Sequence, residues 1–368
     1  MTRTGWNGLR DRSNHARLAI GGDKRYALPM QKTGLPTIND VARIAGVSKK
    51  TVSRVINRSP LLSDDTRKHV EGVISGLGYV PNPQARALAL RRNFLIGLIH
   101  DNPNAQMVMN VQQGILESLH GTEFELVVRP IDRGSATMLE DVRNFLERQR
   151  LFGVVLLPPV SENNQLAELC AGIGCRYVRM GSAELDDSAH MVASNDCEAV
   201  TAAVDYLIEQ GHRRIGLVLG PHGFRSARER REGFEQALKT AKITLPRSMI
   251  ADGNYTFESG VMAADRLLDL MPRPTAIFAC NDEMAAGVLH AARQRGIDVP
   301  RDLSIIGFDD TPIAAHIWPP LTTVRWPIIS MARSAALKLT ADGEEPVEEP
   351  SMFRSTLIRR GSVAPPRD

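Results

Sequence analysis

Cysteine is scarce in this sequence: Cys170, Cys175, Cys197 and Cys280 are spread through 368 residues with no CxxC pair. Zinc sites and small disulfide scaffolds need closely spaced cysteines, so neither is predicted. Because these cysteines stand near apolar segments, we expect buried free thiols in a reducing cytoplasm. We predict no metal site and no cofactor.

Long apolar runs are also missing. No stretch of about 18 apolar residues occurs, which argues against a membrane-spanning helix. The N-terminus lacks the apolar core of a signal peptide, because Arg10, Asp11, Arg12, His15 and Arg17 interrupt it. We therefore predict a cytoplasmic, nucleoid-associated protein with no membrane partner.

The sequence also lacks the common catalytic motifs. The sequence contains no GxSxG elbow, no GxxxxGK[ST] loop, no HExxH and no GxGxxG after a strand. Asp309 and Asp310 are adjacent, and in an extended segment their side chains would point apart rather than share a proton. We predict that the protein is not an enzyme.

Charge is divided unevenly along the chain. Residues 1–93 contain 17 Lys and Arg against 6 Asp and Glu, whereas the remaining residues contain 28 against 36. A basic N-terminal third on an acidic body fits a nucleic-acid module joined to a larger domain. A basic disordered leader would give the same balance. The length indicates two or three domains.

The stretch from Thr37 to Asn57, TINDVARIAGVSKKTVSRVIN, predicts two short amphipathic helices around a tight turn. Thr37 and Ser48 are suited to cap them, with Asp40 in the first turn of the first helix. Gly46 stands where the turn needs a positive φ. The apolar faces should contain Val41, Ala42, Ile44 and Ala45, then Val52, Val55 and Ile56.

Basic and hydroxyl side chains should face outward near the start of the second helix: Lys49, Lys50, Ser53 and Arg54. A helix-turn-helix module places such residues against base edges in the major groove. Two surface helices of an ordinary helical domain are the alternative. The cap, turn, core spacing and basic face together favour a DNA-reading module over residues 36–81.

A third helix is predicted after this pair, capped by Ser63 and ended by Gly78. Asp64 and Asp65 lie in its first turn, and its buried stripe with the following residues should contain Val70, Val73, Ile74, Leu77, Tyr79 and Val80. Residues 1–35 are polar and without periodicity, so we expect a disordered leader. Met30 offers an alternative start that would leave the leader untranslated.

Residues 82–93, NPQARALALRRN, turn from proline to strong helix formers and predict a hinge helix or linker. Leu88, with Arg86 nearby, is an apolar side chain between basic neighbours, and such a side chain can wedge into a minor groove. The alternative is that Leu88 packs against the body.

Residues 94–360 alternate between short apolar runs and amphipathic helices. Such alternation predicts parallel sheets covered on both faces, here as two doubly wound lobes. The strands are expected at 95–99, 125–128, 154–157, 215–219, 275–279 and 303–308, and helices at 138–149, 198–210, 227–240, 257–271 and 283–295. Residues 361–368 are predicted to be a flexible tail.

The head, with DVARIAGVSKKTVSRVIN and GYVPNPQARALA, resembles the lactose/galactose repressor (LacI/GalR) family, as do GHRRIGLVLGP, SARERREGF, CNDEMAAGVL, DLSIIGFDDTP and PPLTTVRWP in the body. The resemblance covers about residues 36–360. It implies a dimeric bacterial transcription regulator with a helix-turn-helix head, a hinge helix and a body of periplasmic-binding-protein type.

Carried over to this sequence, the resemblance implies two sets of functional residues. The predicted DNA-binding residues are Thr37, Ser48, Lys49, Lys50, Thr51, Ser53, Arg54, Asn57, Asn82, Arg86 and Leu88. The predicted effector-binding residues are Asp101, Arg230, Tyr255, Asn281, Asp309 and Trp326. Trp326 stands where many members have glutamine, so a narrower or more apolar pocket is expected. Lys49-Lys50 differs from the commoner pairs, so the operator sequence cannot be inherited from a relative.

The effector residues suit a sugar, which needs paired donors and acceptors beside an aromatic platform. Asn281 and Asp309 follow apolar runs, so both should lie at the carboxyl ends of strands. Other interpretations remain: Arg230 as a solvated charge, Asp309 and Asn281 as helix caps, and Tyr255 and Trp326 as core aromatics.

We therefore predict a repressor that binds a near-palindromic DNA duplex and is controlled by a sugar or sugar derivative. The tail carries no leucine heptad, so a homodimer is favoured over a tetramer. A soluble sugar-binding protein and an architectural DNA-binding protein without effector control are the alternatives.

Overall fold

The computed structural model describes residues 35–56, 59, 61–80, 93–182, 185–341 and 349–367. The chain divides into two compact units, residues 1–81 and 82–368, which we call the head and the body. The predicted leader, Asn57, Asn82, Arg86 and Leu88 lie outside the described residues. Within the described part of the chain, no helix combines the length and the apolar character needed to cross a membrane.

The head consists of three helices, α1 (Ile38–Ala45), α2 (Lys49–Ile56) and α3 (Asp64–Leu77). Gly46 has φ 65° and ends α1, as predicted, because this left-handed conformation is costly for residues with a Cβ atom. The Ser48 hydroxyl accepts the Thr51 N–H at 3.1 Å and so caps α2. The helices enclose a small core of Val41, Ala42, Ala45, Val52, Val55 and Val70.

Two predicted core positions of the head are wrong. Ile44 is 48% exposed and Val80 is 80% exposed. Ile44 lies off the α1 face that carries the buried residues, and Val80 follows the turn at Gly78. Val73, Ile74, Leu77 and Tyr79 are only partly buried against the core. The head therefore buries little apolar surface, as expected for a domain of this size.

The first lobe of the body contains a six-stranded sheet in the order β11-β5-β4-β3-β1-β2, in which every pairing is parallel. Its strands are β1 (Leu95–His100), β2 (Glu125–Pro130), β3 (Gly153–Leu156), β4 (Arg176–Gly181), β5 (Met191–Ser194) and β11 (Met352–Phe353). Its helices are α4 (Ala105–Leu119), α5 (Met138–Gln149), α6 (Asn164–Gly172) and α12 (Ile328–Thr340).

The second lobe contains another six-stranded sheet, in the order β12-β10-β9-β8-β6-β7, with only β12 antiparallel. Its strands are β6 (Ile215–Val218), β7 (Ile250–Ala251), β8 (Ala276–Ala279), β9 (Ser304–Asp309), β10 (Thr322–Arg325) and β12 (Thr356–Ile358). Its helices are α7 (Asp196–Glu209), α8 (Arg225–Thr240), α9 (Phe257–Leu268), α10 (Asp282–Gln294) and α11 (Pro312–His316).

The chain passes between the lobes three times, from β5 to α7, from β10 to α12 and from β11 to β12. The central strands β3, β6 and β8 are buried along their whole length, as strands of a parallel sheet covered on both faces should be. The predicted fold class, a helical head followed in the chain by two doubly wound lobes, is confirmed.

The C-terminal residues 361–367 pack against the second lobe and do not form the predicted flexible tail. Ser362 is 1% exposed, and its hydroxyl donates to the Ile305 carbonyl at 2.6 Å. The Ala364 carbonyl lies 3.0 Å from Nε2 of the buried His212. The four cysteines are free, but Cys197 is only partly buried, whereas burial of all four was predicted.

Candidate functional site

A narrow cavity lies in the body where the carboxyl ends of strands from both sheets face each other. Ligand sites of doubly wound folds are expected at this position. Five of the six predicted effector residues line it. The described lining residues are Asn102, Asn104, Met107, Pro158, Ser182, Phe224, Ser226, Arg230, Tyr255, Asn281, Asp309 and Trp326.

Arg230, on α8, is the central charged group of the cavity. Its side chain is 4% exposed, so it is not the solvated charge that its neighbours in RSARERR suggested. Its Nε donates to Asp196 Oδ2 at 3.0 Å, and Nη1 donates to the Cys280 carbonyl. Burial alone would lower the pKa of Arg230, but the carboxylates of Asp196 and Asp309 outweigh burial and raise it.

Asp309 ends β9 with φ 110°, and its Oδ1 lies 3.7 Å from Nη2 of Arg230. Burial raises the pKa of Asp309 well above its ordinary value, although Arg230 opposes this shift. The helix-cap alternative is wrong for both aspartates, because α11 begins after Thr311. Asp310 instead contacts Arg325 at 2.7 Å and Arg360 at 2.6 Å. The adjacent carboxylates thus bind different partners.

Asn281 combines two of the predicted roles. Its Oδ1 accepts the Met284 N–H at 2.9 Å and caps α10, while its Nδ2 donates to the Tyr255 carbonyl at 3.0 Å. The second contact holds Tyr255, which has φ 68°, at the cavity wall. Asn281 therefore both starts a helix and fixes the position of an aromatic lining residue.

The two predicted aromatic residues also line the cavity and use their polar atoms. The Tyr255 hydroxyl lies 3.1 Å from Ser226 Oγ, and the ring meets Phe224 edge to face at 5.8 Å. Trp326 Nε1 donates to Ser194 Oγ at 2.9 Å. Because buried Tyr and Trp need hydrogen-bond partners, these contacts fix both rings as parts of the wall.

Asp101 is not among the lining residues. Its carboxylate lies 3.3 Å from Nε of Arg133, outside the cavity. The next residue, Asn102, takes the lining position, with its Nδ2 bonded to the Pro158 carbonyl at 3.1 Å. The carboxyl-end rule that selected Asp101 could also have selected Asn102 and Asn104. Nothing in the sequence pattern marked Met107, Pro158, Ser182, Phe224 or Ser226.

In the head, the predicted DNA-binding residues fall into two groups. Thr37, Ser48 and Thr51 hydrogen-bond within the caps of α1 and α2, where the Thr37 N–H and hydroxyl both donate to Asp40. The exposed or partly exposed surface of α2 carries the other described members, Lys49, Lys50, Ser53 and Arg54. The first group shapes the ends of the helices, and the second offers the basic surface.

A family model for bacterial regulatory proteins of the lacI family matches residues 37–82, and one for a periplasmic binding protein-like domain matches residues 204–363. The probable HTH-type transcriptional repressor ExuR of Bacillus subtilis is 33% identical over 320 residues, which cover 84% of this chain and 92% of that protein. The ribose operon repressor of Haemophilus influenzae is 32% identical and covers 89% and 99%. The chain belongs to the LacI family.

Solved structures of similar proteins agree with the LacI family fold. A complex of the transcriptional regulator CelR with cellobiose is 31% identical, with a TM-score of 0.65, and covers 89% of this chain and 99% of that one. The lac repressor dimer bound to operator and the anti-inducer ONPF is 25% identical, with a TM-score of 0.76, and covers 90% and 100%. The resemblance inferred from sequence motifs is thus confirmed.

Asp282, next to Asn281, gives this LacI family body a pH-dependent stability. It is fully buried and accepts hydrogen bonds from the Thr311 N–H at 2.7 Å and the Thr323 hydroxyl at 2.5 Å. Burial raises its pKa from 3.8 to about 7, although both threonines oppose the shift. The contribution of this carboxyl group is therefore fully present below pH 4 and is lost as the pH rises through 7.

Asp282→Asn should accordingly gain stability relative to the native protein between pH 5 and pH 8, because it has no buried charge to form. Urea unfolding across this range measures the difference in free energy. Glu235→Gln, at an exposed carboxylate of α8, is the control and should show no such trend. If the difference in free energy of unfolding between Asp282→Asn and the native protein stayed constant with pH, the raised pKa of Asp282 would be contradicted.

Proposed function

We propose that the protein is a transcription repressor in the cytoplasm that binds near-palindromic DNA as a homodimer and is controlled by a sugar or sugar derivative. The observation that supports this most is the pairing, in one LacI family chain, of a basic helix-turn-helix head with a cavity containing Arg230 and Asp309. A sugar-binding protein would not need the head, and an architectural DNA-binding protein would not need the cavity.

On the DNA side, α2 presents Lys49, Lys50 and Arg54 to the major groove of one half-site, and the head of the second protomer reads the other half-site. Asn82, Arg86 and Leu88 belong to the hinge, where Leu88 enters the minor groove at the dyad. The operator-bound lac repressor dimer supports this arrangement by its similarity to this chain.

The homodimer is supported by an apolar surface on α4. Met109 is 61% exposed and Leu116 is 50% exposed, on the side of the helix away from α12. Isolated exposed apolar residues are common on protein surfaces, but two on one helix face suit a partner subunit. A second copy of the chain brings the matching face and the second head that a near-palindromic site needs.

On the effector side, binding in the cavity changes the closure of the two lobes and thereby the spacing of the two hinges, so that the repressor leaves its operator. Such coupling between two sites is typically about 1–3 kcal/mol, enough for a switch. The cellobiose complex of CelR supports a sugar as effector.

Selection of duplexes from a random pool with the full chain tests this proposal. We expect a near-palindromic consensus, bound by a dimer, with an affinity that falls by about 10³-fold or more between 50 and 200 mM salt if six or more phosphates are contacted. A sugar that raises the melting temperature should release the selected duplex. Equal binding of selected and random duplexes, or a monomer that ignores symmetric sites, would contradict it.

The cavity is tested separately with Arg230→Ala and Asp309→Ala. Both variants should lose the effector response. Operator binding should persist in each variant whose body circular dichroism shows to be folded, because the head does not contain these residues. A sugar that shifts the melting temperature of both variants as much as that of the native protein would exclude the cavity as its site. Saturating effector should add roughly 2.7 kcal/mol at a hundred times its dissociation constant.

A further inference from the structure

The charges around the cavity restrict the effector more narrowly than the proposed function does. Among the described residues that line it, only Arg230 and Asp309 are charged. Behind Arg230 lies a second carboxylate, Asp196, which is 0% exposed and bonded to Nε. Asp196 alone balances the charge of Arg230, and Asp309 adds a second carboxyl group, so the inner part of the site contains no excess positive charge.

The guanidinium group of Arg230 is already engaged by the protein. Nε and Nη1 donate hydrogen bonds to Asp196 and to the Cys280 carbonyl, and Nη2 lies 3.7 Å from Asp309 Oδ1, an ion-pair distance. Its flat face lies over the Phe308 ring at 3.6 Å from the centroid. A carboxylate or phosphate on a ligand needs a free edge of the guanidinium for a bidentate contact. Each nitrogen of Arg230 instead already faces an acceptor of the protein.

Two arginines beside lining residues, Arg133 and Arg225, are paired in the same way. Arg133, which lies 4.9 Å from the centroid of the Phe224 ring, contacts Asp101 at 3.3 Å. Arg225 contacts Glu229 at 3.2 Å, and the carboxylate of Glu162 accepts the backbone N–H of Arg225 at 3.1 Å. An anionic ligand would lose its hydration here without gaining an uncompensated cation, which is unfavourable.

The remaining lining groups suit a neutral ligand. Asn102, Asn104, Ser182 and Ser226 are polar and uncharged. Asn102, Asn104 and Ser226 each make hydrogen bonds within the protein, but an amide or hydroxyl group has more than one donor or acceptor position, so they can also bond to ligand hydroxyl groups. Asp309 adds a carboxyl group that accepts from hydroxyls. The aromatic side chains of the wall, with Met107, offer an apolar surface of the kind that covers the face of a sugar ring.

We infer that the effector is an electrically neutral, polyhydroxylated molecule, a neutral sugar or glycoside, and that the site rejects the corresponding sugar acids and sugar phosphates. This inference rests on the proposed function, in which the cavity is the effector site. It also distinguishes this chain from regulators whose effectors carry a carboxylate or a phosphate.

Calorimetry with the full chain and matched ligand series tests the inference. Each series contains a neutral sugar with its acid, its phosphate or both: glucose, glucuronate and glucose 6-phosphate; galactose, galacturonate and galactose 6-phosphate; ribose and ribose 5-phosphate; and cellobiose with cellobionate. We expect binding by a neutral member, with its acid and phosphate at least 100-fold weaker. An acid or phosphate that binds as tightly as its neutral parent, or a panel without a neutral ligand, would overturn the inference.

Two variants test the physical reason. Asp196→Asn and Asp309→Asn each remove one compensating carboxylate, so the affinity for the acid relative to its neutral parent should rise at least 10-fold. Asp309→Asn keeps the test decisive if Asp196→Asn fails to fold. Glu235→Gln, at an exposed carboxylate on α8, the helix that contains Arg230, should leave the ratio unchanged. An unchanged ratio in Asp309→Asn would contradict the charge argument.

Operator release, measured on the same samples, separates this inference from the proposed function. A sugar acid that binds the cavity and releases DNA would overturn the neutral class but leave the effector-controlled repressor intact. A neutral sugar that binds at least 100-fold more tightly than its acid without affecting operator binding would uphold the ligand class and contradict effector control.

Discussion

Asp196→Ala is expected to lower the free energy of unfolding of the body by about 3–5 kcal/mol, because it leaves a buried arginine without its partner. Asp196 is 0% exposed, and its Oδ2 accepts from Arg230 at 3.0 Å. Its Oδ1 accepts from the Ser194 hydroxyl at 2.6 Å, and Ser194 in turn accepts from Trp326. Removal of this one carboxylate therefore disturbs three further side chains.

Urea unfolding of the variant and the native protein measures the loss. Glu235→Ala is the matched control, since Glu235 also pairs with an arginine of α8, Arg231 at 2.7 Å, but both side chains are more than 40% exposed. Exposed pairs contribute at most about 1 kcal/mol. If both variants lost the same amount of stability, the buried network would not have the importance given to it here.

The double variant Asp196→Leu with Arg230→Met extends this test. Replacement of a whole buried ion pair by apolar residues is often neutral or stabilising, whereas removal of one partner is strongly destabilising. The double variant should therefore recover much of the stability that the single variant loses. It should also lose the effector, because Arg230 lines the cavity.

The buried network of Asp196, Arg230, Ser194 and Trp326 lies where the chain crosses between the lobes, so it bears on both the stability and the proposed regulation of the body. Ser194 ends β5 where the chain first leaves the first lobe, and Trp326 follows β10 where the chain returns to it. The hydrogen bond between them joins two of the three crossovers. Because Arg230 reaches the same network through Asp196, a ligand that contacts Arg230 acts next to the segments about which the lobes would move in the proposed mechanism.

The sequence predicted the strands whose residues are almost entirely apolar, such as β1, β3 and β8. It missed β4, β5, β7, β10, β11 and β12, which are short or contain polar residues, although β5 is buried throughout. β7 and β11 have two residues each, and β10 reads TTVR. β4, RYVRMG, contains Arg179, which is 2% exposed and donates to the Ser161 carbonyl at 2.7 Å. Arg179 also donates to Asn164 Oδ1 and to the Leu185 carbonyl and pairs with Asp186. An arginine whose partners are brought to it only by the fold looks like a surface residue in the sequence.

The residues of the candidate site could be predicted where they directly follow a strand. Asn281 and Asp309 follow strands directly, so their places at the carboxyl edge came from the strand pattern. Asp101 failed because the turn after β1 directs its carboxylate to Arg133, and local sequence does not determine that direction. Asp196 was missed because an acidic residue in the first turn of a helix has an ordinary explanation in the helix dipole.

The first turn of α2 shows a conflict between stability and function. Acidic residues favour the positive end of the helix dipole, and α1 and α3 follow this rule with Asp40, Asp64 and Asp65. α2 instead begins with the exposed Lys49 and Lys50 and has no acidic residue in its first turn. These lysines destabilise the isolated helix, and a phosphate or base edge near the helix start resolves the conflict.

Lys49→Glu together with Lys50→Glu should therefore change stability and DNA binding in opposite directions. Hydrogen exchange of the α2 amides should show about 0.3–1 kcal/mol of added protection for each substitution. Affinity for the selected duplex should fall at least about 100-fold, since each contact with a base edge is typically about 1–3 kcal/mol. Lys239→Glu with Lys242→Glu in the body makes the same change in net charge and should keep most of the affinity. If the α2 amides lost protection, weaker binding would be due to unfolding of the head. If the affinity were unchanged, α2 would not be part of the DNA interface.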